Sequence, residues 1–494
     1  SQMADPTFGI SITRVNNEPL PVVGADMAVV GLVGTAPAAN ATTFPLNTPV
    51  LLFSDDADKL AALGDEGTLP DAVRGINDQL GEFQAAARVV VVRVEEGIDV
   101  DATMANIIGS EAARTGIYAL LTAGPILGVV PRLVATPGFT SQQKRGVTKI
   151  TIVSEGTGYE VGDAISGTGG GGSGFAAEVS EVDEDGKIVA VAITDPGSGY
   201  SSAPTLSVSS TGGTGASLTA TVEKLANPVI AALPSVLNRL LAHAVVDGPA
   251  TTLQDWVDWR ETISSDRIIP VETAVKYGVS AAVKPASPRI IGIGVRRDHE
   301  FNGRPFHSWA NQPVAGIVGP NRPIDFSLTD GSTEGQTILS QNGGIIVRGE
   351  MGVENAIASG GFVYIGTDTC SEDPLWQFYN VTRGRDYIHL MFLRTLRNFL
   401  GKRNIDVGTI TDILNTMRFA LRNLEADGDI LPGWRVFFTR DQNTPEDLRQ
   451  GRFTVDFAVE EPPVLRYLGL RSQRNRASLE LLVKNLENQI STAA

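Results

Sequence analysis

A glycine-rich loop is the first feature of the sequence with the spacing of a ligand-binding motif. Residues 167–172 read GTGGGG and satisfy the pattern GxGxxG. Dinucleotide binding needs such a loop to open a helix, because the helix N-terminus meets the pyrophosphate. Here residues 175–182 alternate like a strand, and a similar loop, TGGTG, returns at residues 211–215. The pattern favours a turn between strands, and a nucleotide-dependent oxidoreductase has no support beyond this loop.

Few other residues have the spacing of a metal site or an acid–base pair. His299, Glu300 and His307 are the clustered candidates, but zinc takes three or four ligands, and His299 lies among charged residues that we expect to be solvated. Asp183-Glu-Asp-Gly186 is acidic, but calcium takes several spaced oxygen ligands, so a link between strands is the simpler interpretation. No spacing favours a catalytic triad. We therefore expect no catalytic residue, no metal and no cofactor, and the chain is predicted not to be an enzyme.

The composition is typical of a folded protein with several domains. At about 150 residues per domain, the 494 residues suggest roughly three domains. Hydrophobic residues make up 42 % of the chain and charged residues 19 %, so a core can be buried. The 40 basic and 56 acidic side chains give a net charge of −16. Because phosphate binding needs a basic surface, this charge argues against nucleic acid as a direct partner.

The sequence also predicts where the chain folds. It contains no stretch of about 18 apolar residues, and residues 1–9 show no basic region followed by an apolar core. We therefore expect neither membrane insertion nor secretion. Cys370 is the single cysteine, which excludes a framework of intrachain disulfides. Folding in a cytoplasm is the resulting expectation.

The hydrophobic pattern predicts an α/β core. Residues 28–33 (AVVGLV) and 88–94 (RVVVVRV) are nearly continuous apolar runs, as in strands buried on both faces of a sheet. A further strand at residues 132–136 should lead into a helix, which is expected at residues 227–244. Later in the chain, strands are predicted at residues 267–270, 289–295, 344–348 and 453–459, a helix at residues 383–403, and a helix or extended arm at residues 476–490.

An internal repeat interrupts the α/β pattern. Residues 146–225 are rich in Gly, Ser and Thr, and the phrases ITIVSEGTGY and VAITDPGSGY recur at a spacing of 41 residues. Each copy is predicted to contain a strand, a glycine turn and a second strand. The repeat is therefore expected to form a small β domain inserted into a connection between a strand and a helix, which surface loops tolerate well.

Several phrases resemble the tail sheath family of contractile-tailed bacteriophages. AVVGLVGTAP and TFPLNTPVLL, at residues 28–37 and 43–52, resemble the opening of the family's N-terminal domain. PRLVATPG at residues 131–138 resembles the strand and loop that lead into the family's next helix. DTCSEDPLWQFYNVTR and NTPEDLRQGRFTVDFAVEEPPVLRYLGLR, at residues 368–383 and 443–471, resemble the junction into the C-terminal sheath domain and its end. The matches follow one another in order over most of the chain outside the repeat.

The resemblance implies a multidomain protein of mixed α/β and α+β class. Its α/β sheath core would carry the all-β repeat as an outward-facing insertion, with extended arms at both termini. The expected divisions are an N-terminal arm and linker (1–22), the first part of the sheath domain (23–145), the inserted repeat (146–225), the second part of the sheath domain (226–365), a tube-proximal C-terminal domain (366–471) and a C-terminal arm (472–494).

The resemblance also implies a function. The chain would be a late structural protein of the virion that polymerises helically with copies of itself around the inner tail tube protein, and that meets baseplate and tail terminator proteins. Contraction would drive the tube through the host cell envelope for genome ejection. Assembly would take place in the host cytoplasm, and the energy would be stored in the metastable polymer, so that no ATP site is needed.

Sheath subunits are linked by arms that add strands to their neighbours. The matching pieces here are a strand predicted at residues 7–15, with Phe8, Ile10 and Ile12, the late strand with Phe453, Val455 and Phe457, and the arm after Arg471. These six aromatic and aliphatic residues are the predicted sites of strand exchange between subunits.

Two further sites are predicted. Residues 383–403 are locally basic, and Arg394 and Arg397 are candidates for contact with acidic groups on the tube, although a solvated helix face explains them as well. Cys370 is expected either to be a small, partly buried thiol or to form an intermolecular disulfide with the tube once the particle leaves the reducing cytoplasm.

Two other classes of protein stay open from the sequence. One is the sheath of a related contractile particle, an R-type bacteriocin or an injection system, which neighbouring genes would distinguish from a phage. The other is a secreted or surface adhesin, which the Gly/Ser/Thr-rich repeat alone suggests and which the missing signal sequence disfavours.

Overall fold

The computed structural model describes residues 24–81, 84, 86–348 and 361–492. The strand predicted at residues 7–15, with Phe8, Ile10 and Ile12, lies outside the described residues. The chain forms two compact units, one up to Pro462 and one from Pro463 onward, and each is described by itself. Among the described residues, no helix is long and apolar enough to cross a bilayer.

The first elements of the larger unit build part of a sheet and its covering helices. In chain order they are β1 (Val30–Thr35), β2 (Pro49–Phe53), α1 (Ala57–Leu63), α2 (Leu69–Asn77), β3 (Arg88–Val94), α3 (Val100–Ile108), a 3-10 helix (Gly116–Thr122), α4 (Ala123–Leu127) and β4 (Leu133–Ala135).

A separate antiparallel sheet follows β4. Its strands are β5 (Arg145–Thr157), β6 (Ala164–Thr168), β7 (Ser173–Val182), β8 (Ile188–Ser198), β9 (Thr205–Ser209) and β10 (Thr214–Lys224). Their order in the sheet is β5-β10-β9-β6-β7-β8. The strands enclose a small core of their own, to which Val147, Val179 and Ile188 contribute fully buried side chains. Residues 145–224 are called the β-module below.

After the β-module the chain returns to the first sheet. The elements are α5 (Pro228–Leu240), β11 (His243–Asp247), α6 (Leu253–Arg260), β12 (Ile268–Val271), β13 (Val275–Tyr277), β14 (Ala282–Lys284), α7 (Ser287–Glu300), β15 (Gln312–Pro313), β16 (Gly319–Pro320), α8 (Glu334–Ser340), β17 (Ile345–Arg348) and β18 (Phe362–Ile365).

The first sheet has the order β12-β11-β4-β1-β3-β2. Its pairs are parallel except for β2, which runs antiparallel to β3. The valine run of β3 explains why it lies inside: Val90 and Val92 join the core on one face and Val89 and Val91 the core on the other. A strand with both faces covered needs no alternation of apolar and polar residues, which is what the sequence shows.

The strand predicted at residues 289–295 is wrong, because this segment is helix α7. The apolar run IIGIGV also fits a buried strand, but its two glycines allow the close packing of a helix. A Cβ on Gly292 would lie 2.8 Å from the carbonyl oxygen of Ile76 in α2, and one on Gly294 would lie 2.6 Å from the ring of Trp309. The apolar run therefore serves to bring α7 against α2 and Trp309.

The last part of the larger unit contains a 3-10 helix (Pro374–Trp376), α9 (Tyr379–Leu396), α10 (Val407–Ala426), β19 (Arg435–Phe437), α11 (Pro445–Arg449) and β20 (Asp456–Ala458). Helix α9 begins before and ends before the helix predicted at residues 383–403. Strand β20 covers only the centre of the strand predicted at residues 453–459.

The smaller unit contains one helix, α12 (Arg476–Thr492). Residues 463–475, which precede it, form neither helix nor strand. The segment after Arg471 is thus largely helical, which is one of the two alternatives, helix or extended arm, predicted for residues 476–490.

Candidate assembly site

Helix α9 positions the candidate site through buried ion pairs with the α/β core. Arg383 is fully buried, and its guanidinium donates to Asp298 of α7 at 3.1 Å and to the backbone oxygen of Met27 at 3.2 Å. Two residues further along the chain, Arg385 donates to both carboxylate oxygens of Glu461, at 2.7 and 2.8 Å. A buried charge that loses its partner costs about 3–5 kcal/mol, so these pairs strongly constrain the helix.

A third ion pair holds the middle of α9 to the edge of the first sheet. Arg267, just before β12, donates to both carboxylate oxygens of Asp386, at 2.6 and 3.1 Å. His243 of β11 lies 2.8 Å from the hydroxyl oxygen of Thr382. Burial first, and then the charges of Arg267 and Arg383, hold the pKa of His243 well below its usual range, so the imidazole is neutral.

These contacts correct two expectations from the sequence. The charged segment around His299 is only partly solvated, since Asp298 is buried against Arg383, whereas His299 itself is exposed. The basic residues of α9 do not form one outward face, because Arg383 and Arg385 are paired with acidic groups of this chain. The pair of Arg383 with Asp298 could not be predicted from the sequence, because the two residues lie 85 positions apart in the chain.

Arg394 and Arg397 lie nearer the end of α9 and face outward to different degrees. Arg394 is partly buried and donates to the backbone oxygen of Gly24 at 2.7 Å, whereas Arg397 is exposed. Contact with another protein therefore suits Arg397 better than Arg394.

The second half of α9 packs with α10 and β20 in a third core. Phe457 of β20 places its ring 5.1 Å from the ring of Phe392 and 5.9 Å from that of His389. Val455 is also partly buried in this core, and Phe453 lies 6.2 Å from Phe438 between ring centres. The structure thus brings the three predicted residues of the late strand together along one surface.

The sheet at this surface has only two strands among the described residues. Strands β19 and β20 pair in antiparallel register, with Val436 opposite Phe457. A two-stranded sheet is marginal by itself and presents open edges to which another strand can be added.

A groove of about 750 Å³ lies beside this sheet, and we call it the C-terminal groove. Its walls come from α9, α10, the turn between them and residues 451–457. Most of the lining is apolar, including Phe392, Leu396, Phe399, Met417, Phe453 and Phe457. The helical residues of this set were not predicted as a site, because in the sequence they continue the ordinary apolar pattern of a core helix.

Cys370 lies elsewhere, in the core beneath the first sheet. The residue is fully buried, and its backbone pairs with Ser265. Burial raises the pKa of its thiol to about 12, so the thiolate that disulfide exchange requires is scarce at neutral pH. The geometry therefore opposes the disulfide with another chain and agrees with an inert, packed thiol.

The remaining candidates are turns or separate side chains. The loop at residues 167–172 joins β6 to β7 and opens no helix. In the link between β7 and β8, the Asp183 carboxylate accepts from the backbone of Asp185 and Lys187, at 3.0 and 2.8 Å. His307 stacks on Phe301 with ring centres 3.3 Å apart. Within the described part of the chain, no group of three or more His, Cys, Asp or Glu residues is arranged to hold a metal ion.

Comparison with known proteins shows similarity to tail sheath proteins. The model of the tail sheath protein Gp18 domain III N-terminal region matches residues 28–94, a range that contains β1, β2 and β3. The tail sheath protein of Escherichia phage P2 is 25 % identical over 503 residues, covering 98 % of this chain and 100 % of the relative. The major tail sheath protein of Serratia phage KSP20 is 37 % identical over 121 residues, covering 24 % of this chain and 30 % of the relative.

The fold is also that of solved sheaths. The sheath complex of an extracellular contractile injection system, PVC, in its contracted state superposes with a TM-score of 0.59 at 12 % identity, covering 97 % of this chain and 100 % of that one. The full-length sheath relative, the matching sheath domain and this fold together identify the chain as a subunit of a contractile sheath.

Proposed function

We propose that this chain polymerises helically around an inner tail tube and contracts to drive the tube through the host envelope, without enzymatic activity. The observation that carries the proposal is the two-stranded sheet β19–β20, whose open edges stand beside the apolar C-terminal groove on a unit braced by buried ion pairs. In the proposed polymer, a terminal arm of one copy is the donor and the sheet β19–β20 of the next copy is the acceptor, so the contact is head-to-tail. Such contacts repeat without closing and generate a helix.

The phage origin of the relatives supports a phage tail over a bacteriocin or an injection system. Both the P2 and the KSP20 proteins are named as phage tail sheath proteins. By this resemblance the partners of the chain are other copies of itself, the tube protein, the baseplate and the tail terminator. The mature location is the virion, after assembly in the host cytoplasm.

The arrangement in the polymer follows the same proposal. Residues 366–471 would face the tube, and the β-module would face outward, because its polar strands bury few side chains outside their own small core. Energy for contraction would be stored in contacts between subunits, so that ATP is not needed.

Negative-stain microscopy of the purified full chain tests the assembly step. Tubes or rings are the expected result. A dispersed monomer at high protein concentration would contradict the proposal.

Contact with the tube is tested separately through Arg397. Its exposed guanidinium at the end of α9 is a suitable partner for acidic groups on a tube surface. We expect Arg397→Glu to weaken attachment to the tube more than contacts between sheath subunits, and most strongly at low salt, where charges are least screened. Co-sedimentation with preformed tubes across a salt series measures this, and equal binding of both proteins at low salt would remove Arg397 from the contact.

A further inference from the structure

The β-module joins the rest of the larger unit through a narrow neck. The chain enters the module after β4, through residues 136–144, and leaves it before α5, through residues 225–227. The two crossings meet where the backbone N–H of Leu225 donates to the backbone oxygen of Lys144 at 2.7 Å. Because a few residues between two folded parts can act as a hinge, the contacts at the neck decide whether the module keeps one orientation.

Buried hydrogen bonds fix the backbone of the neck. Asn227 is 1 % exposed, and its side-chain nitrogen donates to the backbone oxygens of Phe139 and Gln142, at 3.2 and 3.0 Å. Its side-chain oxygen caps α5 by accepting from the backbone of Val229 and Ile230, at 2.9 and 3.1 Å. One buried amide therefore ties the entering crossing to the helix that follows the departing one.

Helix α6 holds the entering crossing as well. The fully buried indole of Trp259 donates to the backbone oxygen of Thr140 at 2.9 Å. The side-chain amide of Gln143 donates to the backbone oxygen of Asp258 at 3.2 Å. The neck is thus packed against the α/β core on two helices, α5 and α6, and is not a solvated linker.

Two lysines at the root of the β-module make ion pairs with two further points of the core. Lys224, the last residue of β10, places its Nζ 2.6 Å from Asp255 and 3.1 Å from Asp258 of α6. Lys144, just before β5, places its Nζ 2.5 Å from Asp101 of α3. One attachment would leave rotation about the neck possible, whereas two attachments on different helices oppose it.

We propose that Lys144 and Lys224 form a two-point mount that holds the β-module at one orientation relative to the α/β core. Exposed ion pairs add little to the stability of a fold. Here the neck already keeps the partners together, so the pairs have only to select one orientation among those that the neck allows. The inference goes beyond the proposed function and needs no assembly, because each copy carries its module at the same angle in or out of a polymer.

Pulsed electron paramagnetic resonance on the dispersed full-length chain tests the mount. Glu178→Cys in β7 and Glu66→Cys in the core place spin labels at two exposed positions, in a chain that also carries Cys370→Ala. Dilution with unlabelled protein suppresses distances between copies. We expect one narrow distance distribution when both lysines are present. Lys144→Met together with Lys224→Met should widen the distribution at least twofold and leave the melting temperature nearly unchanged.

Lys187→Met is the matched control. The ion pairs of Lys187, with Asp183 and Asp185 at 3.8 and 3.5 Å, lie within the β-module. This control and Lys224→Arg, which keeps the positive charge, should both retain the narrow distribution. A distribution as narrow in the protein with two methionines as in the wild type would overturn the mount. A broad distribution in the wild type, the mark of a freely swinging module, would overturn it too, and so would equal widening in Lys187→Met. Because dispersed protein suffices, a failure of sheath assembly would leave this result unaffected.

Discussion

The β-module and the sheet β19–β20 are both antiparallel, but they differ in whether the edges of the sheet are covered. In the β-module the two outermost strands come together, with the backbone N–H of Tyr200 donating to the oxygen of Arg145 at 3.3 Å. The link between β7 and β8 covers the turn after β5, where Gly158 and Tyr159 donate to Asp185 and Gly186 at 3.2 and 2.9 Å. Strands β19 and β20 have no third partner among the residues described. A sheet whose own chain covers its edges resists strand addition, and a sheet with open edges invites it.

The largest effect is expected when the arms are removed. Deleting residues 1–15, or all residues after Arg471, should leave a soluble, folded core that forms no sheath, because an arm bonded to another chain adds little stability to its own subunit. Microscopy detects the polymer, and circular dichroism with thermal melting checks the core. Full-length polymers from either truncated chain would show that the open edges of β19–β20 do not need that arm for assembly.

A steric change inside the β-module should destabilise that module alone. A Cβ on Gly172 would lie 2.5 Å from the ring of Tyr200. Gly172→Ala should therefore lower the free energy of unfolding of the β-module by about 1–3 kcal/mol, the usual range for overpacking. Gly212→Ala is the control, because its Cβ would meet no atom closer than 3.4 Å. Hydrogen exchange resolves the loss of protection by segment. We expect it within residues 145–224 only, with sheath assembly unchanged. Loss of assembly with Gly172→Ala alone would mean that the module takes part in the polymer contacts.

Removal of the whole β-module should affect assembly far less than removal of the arms. Replacing residues 146–225 with a short Gly/Ser linker should still give sheaths by microscopy, since covered edges offer neighbours no strand pairing. If the chain without the β-module stays folded and does not assemble, the β-module takes part in the contacts between subunits in spite of its covered edges.

No effect is expected from Cys370. Intact particles run without reductant should show the sheath band at monomer mass, both for the wild type and for Cys370→Ser, because the thiol is fully buried. A band at the mass of sheath plus tube, lost on reduction, would show that a covalent bond supplements strand pairing.

The sequence predicted the elements that depend on local pattern. Strand β3 has the predicted bounds, Arg88–Val94, because four consecutive valines leave little alternative. Helix α7 was mistaken for a strand, because Gly292 and Gly294 serve contacts with α2 and Trp309 that only the tertiary structure shows.

The candidate site was predictable only in part. Phe453, Val455 and Phe457 lie close together in the chain, so their common surface could be expected. The other walls of the C-terminal groove come from α9 and α10, far away in the sequence, and no local signal marks them. The pairing of Arg383 with Asp298 is invisible for the same reason, since neither residue is unusual in its own segment.

The pairing of strands in the β-module has a consequence for how its two repeats depend on each other. Strand β10 of the second repeat pairs along β5 of the first, and β7 of the first pairs along β8 of the second. A gene with one copy of the repeat would therefore encode half a sheet with unpaired edges, and two such chains would have to associate to complete it. Association of that kind depends on protein concentration. Duplication within one reading frame removes this dependence, so the module can fold on each subunit before any neighbour arrives.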